Sequence, residues 1–251
     1  MSTAGGRFED AADGGPLRLD LRSIDGHDFQ VLRRFAYVSA EYEEPFVAPS
    51  DPDTFRTDLA SVPWIFTWLV PRSGIFLPAA VLHDATVRRC YTGPYLDRAG
   101  ADRLFRRAAR DLGTGVIRCW LMWAAVTMAT LWSRPRARWY WRGVVAGLIA
   151  AVVVLGALAT GDLFGVGPGV PWMGHGPLWT RILGGAAGAL VIPSVLALSW
   201  GRRLAPAGVI AGITLAFLLH VTVAIAVLYA LYRLLERLVS GPSLGARPPA
   251  G

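Results

Sequence analysis

The sequence predicts an α+β domain followed by an all-α membrane region: a small antiparallel sheet, about three helices, then three transmembrane helices. Three observations carry this. At residues 16–22 apolar and charged side chains alternate (PLRLDLR) with the period of a strand, and residues 29–39 read as a second strand. From Pro78 onward apolar residues recur at helical spacing. Residues 143–160, 182–200 and 207–232 are three long runs without a charged residue.

The first fifteen residues are Gly-rich and acidic and read as a flexible tail with no apolar core of a secretory signal. The alternating stretch at 16–22 reads as a strand. Asp25-Gly26 marks a turn, and residues 29–39 (FQVLRRFAYVS) read as a second strand. An acidic, Pro-rich loop follows at 41–53. Pro78 suits the first turn of a helix that continues through 79–90. Asp97 is a good N-cap for the next helix. In that helix Ala101, Leu104, Phe105, Ala108 and Leu112 share one face, while Arg103, Arg106, Arg107 and Arg110 lie on or near the other. Gly113 ends it, and Thr114 can cap a third helix. The Arg face is expected to be solvated, with partners Asp102–Arg106 and Arg107–Asp111.

That third helix, 115–132, has an uncharged part of only 14 residues. This is short for a span and fits a core or interfacial helix. Were it to span, the preceding domain would lie on the opposite side of the membrane. The domain thus covers 16–132, an Arg/Trp-rich juxtamembrane segment covers 133–142, and a tail covers 233–251.

The three uncharged runs contain 18, 19 and 26 residues. About 20 apolar residues at about 1.5 Å each cross a hydrocarbon core of about 30 Å, so spans are expected at about 143–162, 180–200 and 207–232. Soluble helices keep a polar face, and these do not. Trp139, Tyr140, Trp141, Trp172, Trp179, Trp200, Tyr229 and Tyr232 flank the runs, as aromatic residues do at headgroup depth. Pro193 is expected to kink the second span. His220, near the middle of the third, is either a functional group or a neutral histidine bonded to a neighbouring helix. Gly143/Gly147, Gly184/Gly188 and Gly208/Gly212 allow close helix approach, within one chain or between two copies in a homo-oligomer.

Composition agrees with a divided molecule. Of 251 residues, 53% are hydrophobic, and every basic residue is Arg. Up to Trp132 there are 15 Arg and 16 acidic residues; after it there are 10 and 2, so the net charge is −1 in front and +8 behind. Disorder is excluded by this hydrophobicity, and two cysteines, Cys90 and Cys119, make no disulfide scaffold. Nucleic-acid binding is not expected of a domain without a basic footprint. Arg134, Arg136, Arg138 and Arg142 before the first span and Arg202 and Arg203 between the second and third favour a multi-pass cell-membrane protein with a cytoplasmic domain. Arg233, Arg237 and Arg247 then fall on the other side. The lipid bilayer is the expected partner.

Chemistry concentrates in FRTDLASVP (55–63), AAVLHD (79–84) and Asp102. Neighbours on a helix point about 100° apart, so His83 and Asp84 serve different partners. If the next helix returns antiparallel, Asp102 can hold the tautomer of His83, a general base. Asp58 and Asp84, with His83, then offer a hard, oxygen-rich site for a divalent cation such as calcium. The same residues also suit a structural role: Asp58 capping a loop, His83–Asp102 a buried pair, Asp84 bonded to Arg88 at i+4. Phosphate loops, dinucleotide fingerprints, CxxC and GxSxG are absent from the sequence.

FRTDLASVP, the PRSG stretch, AAVLHD and AGADRLFRRAARDLG occur in the order seen in the family catalogued as Domain of Unknown Function 1353, from phages and bacteria, which this chain resembles over about 17–132. On that likeness Thr57, Asp58, Leu59, Ala60, Ser61 and Pro63 fill the first motif, His83 and Asp84 the second, and Ala101-Asp102 the third. The chain departs from the pattern after His83-Asp84, where Val87 replaces an aromatic residue and Tyr91 is the nearest substitute. The resemblance implies no established activity.

The His-Asp pair with a later helical Asp also resembles phospholipases A2. That likeness implies His83 as the base, Asp102 as its orienter and Asp84 as a calcium ligand. The Gly-rich calcium loop and the disulfides of those enzymes are missing here. Two functions are expected to compete: a membrane-anchored, hydrolase-like enzyme, and a non-catalytic interaction or structural module. An apolar surface around Trp64, Trp68 and Phe76 would favour the second.

Overall fold

The computed structural model describes residues 5–59, 67, 69–71, 73–135, 137–166, 169–174 and 176–240. Expectations for Ala60, Ser61, Pro63, Trp64 and Trp68 lie outside the described residues. Among the described residues six short strands form two antiparallel three-stranded sheets. One contains β1 (Arg7–Asp10), β4 (Phe35–Val38) and β5 (Phe46–Ala48), with β4 central; the other contains β2 (Leu21–Ser23), β3 (Phe29–Val31) and β6 (Arg56–Thr57), with β3 central.

Two expectations are corrected here. Arg7–Asp10, expected to lie in a flexible tail at 1–15, is instead a strand that pairs with β4 in register, Phe8 opposite Tyr37. Phe8 supplies the apolar anchor: its ring lies 4.7 Å from that of Tyr37 and 6.0 Å from that of Phe35. The chain passes so close to Tyr37 that a Cβ at Gly6 would overlap its ring. The 29–39 stretch is two strands, not one. It bends at Leu32–Arg34, where Arg33 meets buried Asp10 at 2.7 Å and Asp20 at 3.3 Å. Residues 32–34 lie between β3 and β4, where these ion pairs turn the Arg33 side chain toward Asp10 and Asp20.

Helices α1 (Leu77–Arg88), α2 (Arg98–Asp111) and α3 (Val116–Trp132) follow. Pro78 sits in the first turn of α1, and Arg89 ends it in the left-handed conformation at φ 61°. Asp97 caps α2 by accepting from the Gly100 N–H at 2.7 Å. Gly113, at φ +85°, follows the last turn and satisfies carbonyls there as an L-residue could not without strain. Thr114 does not cap α3, since Gly115 occupies that position without a side-chain bond. The expected pairs along α2 also fail to form. Arg106 stacks over Trp120 at 4.1 Å, Arg107 pairs with Glu41, and Asp102 faces His83.

Among the described residues three helices are long and apolar enough to cross a membrane: α4 (Arg138–Leu163), α5 (Leu178–Ala197, continued by a 3-10 turn at Leu198–Trp200) and α6 (Ala205–Ser240). The juxtamembrane segment from Arg138 and the start of the expected tail are therefore helical. Gly208 and Gly212 let α6 approach α5, because a Cβ there would meet Ala197, Trp200 and Pro193; around Gly143 and Gly147 there is open space. His220 bonds a neighbouring helix: its Nε2 lies 2.7 Å from Thr160 Oγ1. That hydroxyl donates its one proton to the Gly156 carbonyl, so Nε2–H is the donor in the pair.

Buried apolar residues form two clusters. Phe35, Tyr37, Phe46, Phe76, Leu82, Leu104 and Phe105 centre the first; Trp123, Leu131, Val145, Leu148, Val152 and Trp200 centre the second. Phe76 is thus core, not exposed surface. Helix α3 belongs to both, giving Cys119 and Met122 to one and Trp123, Ala124 and Leu131 to the other.

Candidate functional site

Helices α1 and α2 form a hairpin around the loop at 89–97. His83 lies just over one turn before that loop and Asp102 about one turn after it, so antiparallel packing sets them side by side. His83 Nε2 lies 2.9 Å from Asp102 Oδ1. The Asp102 side chain is 1% exposed and that of His83 17%. Thr130 of α3 donates to the same oxygen at 3.3 Å, while Asp102 Oδ2 is buried with no hydrogen-bond partner among the described residues.

With Asp102 Oδ1 as the acceptor, Nε2–H is the donor and the lone pair of a neutral imidazole sits on Nδ1. Among the described residues Nδ1 has no hydrogen-bond partner. Phe105 packs beside the ring at 5.1 Å between centroids and limits its rotation.

Asp84 points elsewhere, as its place next to His83 on the helix requires. Its Oδ1 accepts from Arg88 Nε at 2.8 Å, the i+4 pair the sequence allows. Arg88 also donates to the Arg56 carbonyl at 2.7 Å, tying the end of α1 to β6. Asp84 Oδ2 is buried and has no hydrogen-bond partner among the described residues. Burial pushes the Asp84 pKa above the ordinary carboxylate value, and the like charge of Asp58 adds to this; Arg88, Thr57 and His83 act against it.

Leu59, next to Asp58, holds φ 68°. That is a strained conformation for a branched apolar residue and one common at functional loops. The Leu59 N–H bonds Thr57 Oγ1 at 3.1 Å.

His83 faces Asp102 rather than the two other acids, and no group of three His, Cys, Asp or Glu placed to hold a metal ion exists among the described residues. The arrangement is therefore a His83–Asp102–Thr130 chain beside an Asp58/Asp84/Arg88 cluster. Thr130 was missed by sequence reasoning. The available signal was a hydroxyl in the last turn of a helix whose second half is apolar apart from Thr127 and Thr130. Tyr91, the nearest substitute for the missing aromatic, donates to the Pro94 carbonyl at 2.8 Å and accepts from the Leu96 N–H at 3.2 Å, so it braces the loop at 89–97.

Residues 29–126 match the model of a family described as Protein of unknown function (DUF1353). That segment runs from β3 through most of α3 and contains Asp58, His83, Asp84 and Asp102; Thr130 and the three long helices lie beyond it. No curated protein and no solved structure matches the chain.

Proposed function

We propose that this chain is a multi-pass membrane protein whose N-terminal domain is a hydrolase-like enzyme. His83 is the general base, and Asp102 is the positioning residue that orients it. The observation carrying this reading is the 2.9 Å bond between His83 Nε2 and a carboxylate that is 1% exposed. Such a carboxylate holds the imidazole in one tautomer and stabilises the imidazolium formed when Nδ1 takes a proton from water. The water oxygen then attacks an ester carbonyl, and the proton on His83 passes to the departing alcohol. The membrane helices favour a lipid ester as substrate, and the Arg distribution favours a cytoplasmic domain.

In this reading Asp84 and Asp58 would hold a divalent cation such as calcium, which would give the buried Asp84 Oδ2 a partner. Arg88 neutralises the other oxygen of Asp84. That ion pair favours the second reading, a non-catalytic interaction or structural module in which both acids serve the fold.

The two readings separate in vesicles of phosphatidylglycerol and phosphatidylcholine carrying the full-length protein. With fatty-acid release as the readout, His83→Gln is expected to lower the rate about 10²–10⁴-fold with an unchanged melting temperature. Asp102→Asn should shift the pH profile, and chelation should act on the wild type but not on Asp84→Asn. Equal rates for wild type and folded His83→Gln would leave the non-catalytic module standing.

A further inference from the structure

A cavity of about 400 Å³ opens where the start of α2 meets the connection between α3 and α4, lined among others by Asp97, Arg98, Thr130, Ser133 and Arg134. We infer that it binds a phosphate group, carried by an anionic phospholipid or free in solution. The site is distinct from the His83 pair and does not depend on it, although Thr130 touches both.

The cavity is positive, and its two cations lack carboxylate partners among the described residues. Among the described residues neither Arg98 nor Arg134 has a carboxylate within 4.0 Å. Asp97, the one acid in the lining, is turned to the Gly100 N–H as the α2 cap. Two cations against one committed carboxylate leave the recess at a net charge of +1. No acidic residue occurs between Asp111 and Asp162 to balance it.

Arg98 is also badly placed for its own helix. It opens α2, where the helix dipole opposes a cation, an effect that the Asp97 carboxylate at the cap offsets only in part. A bound anion would reverse that penalty. The donors it would meet are the two guanidinium groups and the exposed Ser133 hydroxyl, all suited to phosphate oxygens.

The depth of the cavity points to lipid as one source. Arg134 lies four residues before α4, a helix long enough to span. Its guanidinium sits 4.9 Å above the Trp141 ring, and Trp141 packs on the cluster shared with α6. Trp132 and Trp139 flank the same turn under Arg142. Aromatic rings with cations above them mark headgroup level, so a phospholipid phosphate reaches this recess without leaving the bilayer surface.

The experiment uses the full-length protein in mild detergent, titrated with phosphatidylglycerol or phosphatidylcholine and followed by tryptophan fluorescence. Phosphatidylglycerol should bind, and Arg98→Gln and Arg134→Gln should each weaken it about tenfold, while Arg110→Gln, on the exposed side of α2, should not. Inorganic phosphate at constant ionic strength distinguishes the sources: displacement of the lipid identifies free phosphate as the ligand, and no displacement identifies the headgroup. Equal affinity in wild type and both cavity variants would overturn the site. So would an equal loss in Arg110→Gln, which would mean diffuse charge attraction only.

Discussion

The N-terminal core and the three long helices treat apolar and polar side chains in opposite ways. In the core, large apolar residues turn inward and polar groups are matched across elements: Asp10 with Arg33, Tyr37 with Asp111, Asp102 with His83. In α4–α6 large aliphatic residues such as Val154, Val191 and Leu228 face outward. The polar matches described there are few: His220 with Thr160, and Asp162 with Arg181 at 3.7 Å near the helix ends. In water each Å² of that outward surface would disfavour the fold by about 25 cal/mol; in hydrocarbon the term vanishes. Exposure thus measures hydrophobic cost only once the solvent is known. Helix α3 connects the two regimes, since adjacent residues Met122 and Trp123 belong to different clusters.

The largest test of this contrast pairs two leucines. Leu82 is 0% exposed and Leu190 47%. Leu82→Ala should destabilise by about 2–5 kcal/mol, whereas Leu190→Ala, trading one apolar neighbour for lipid, should stay within about 0.5 kcal/mol. Melting of the detergent-solubilised protein measures both. Equal losses would mean that the outer face of α5 packs on protein.

A smaller effect is expected where the N-terminal strand meets α2. Tyr37 Oη donates to Asp111 Oδ2 at 2.6 Å, and Asp111 also holds the Gly6 N–H. Tyr37→Phe should remove about 1–3 kcal/mol. Burial, then the Asp111 contact, pushes the Tyr37 pKa upward from 10.0. The unfolded chain therefore ionises first, and wild-type stability should fall as pH rises past 10.0. A Tyr37→Phe variant losing stability along the same alkaline curve would locate that titration elsewhere.

The smallest effect concerns Asp84, whose folded pKa lies above 3.8. The folded state then holds its proton more tightly than the unfolded chain. That contribution is present below 3.8 and lost as pH rises through the raised value. Asp84→Asn should gain on wild type across that window, by no more than about 1 kcal/mol after losing the half-exposed Arg88 pair. Chemical denaturation at a series of pH values would show it; a gap that is flat or narrows with pH would place Asp84 in a favourable field.

Much of the site was legible because it depends on short spacing. Two helices joined by a nine-residue loop, 89–97, have little choice but to pack antiparallel, and that alone brings His83 to Asp102. The Asp97 cap, the place of Pro78 and the i+4 pair Asp84–Arg88 are likewise local. The partners that went astray are those with several competing choices at longer range. Arg107 pairs with Glu41 rather than Asp111, which instead accepts from Tyr37 and the Gly6 N–H.

By itself the amino-acid sequence determined where lipid-compatible surface lies, because an uncharged run of 18 or more residues has no polar face to offer water. It also determined the helix limits set by proline, glycine and capping residues. Only the tertiary structure decided that Phe8 anchors a strand in the supposed tail, that Phe76 is core, that Thr130 completes the His83–Asp102 chain, and that Arg98 and Arg134 share one cavity. Each of these rests on contacts between residues far apart in the chain, whose meeting is set by the packing of whole elements rather than by any pattern within one.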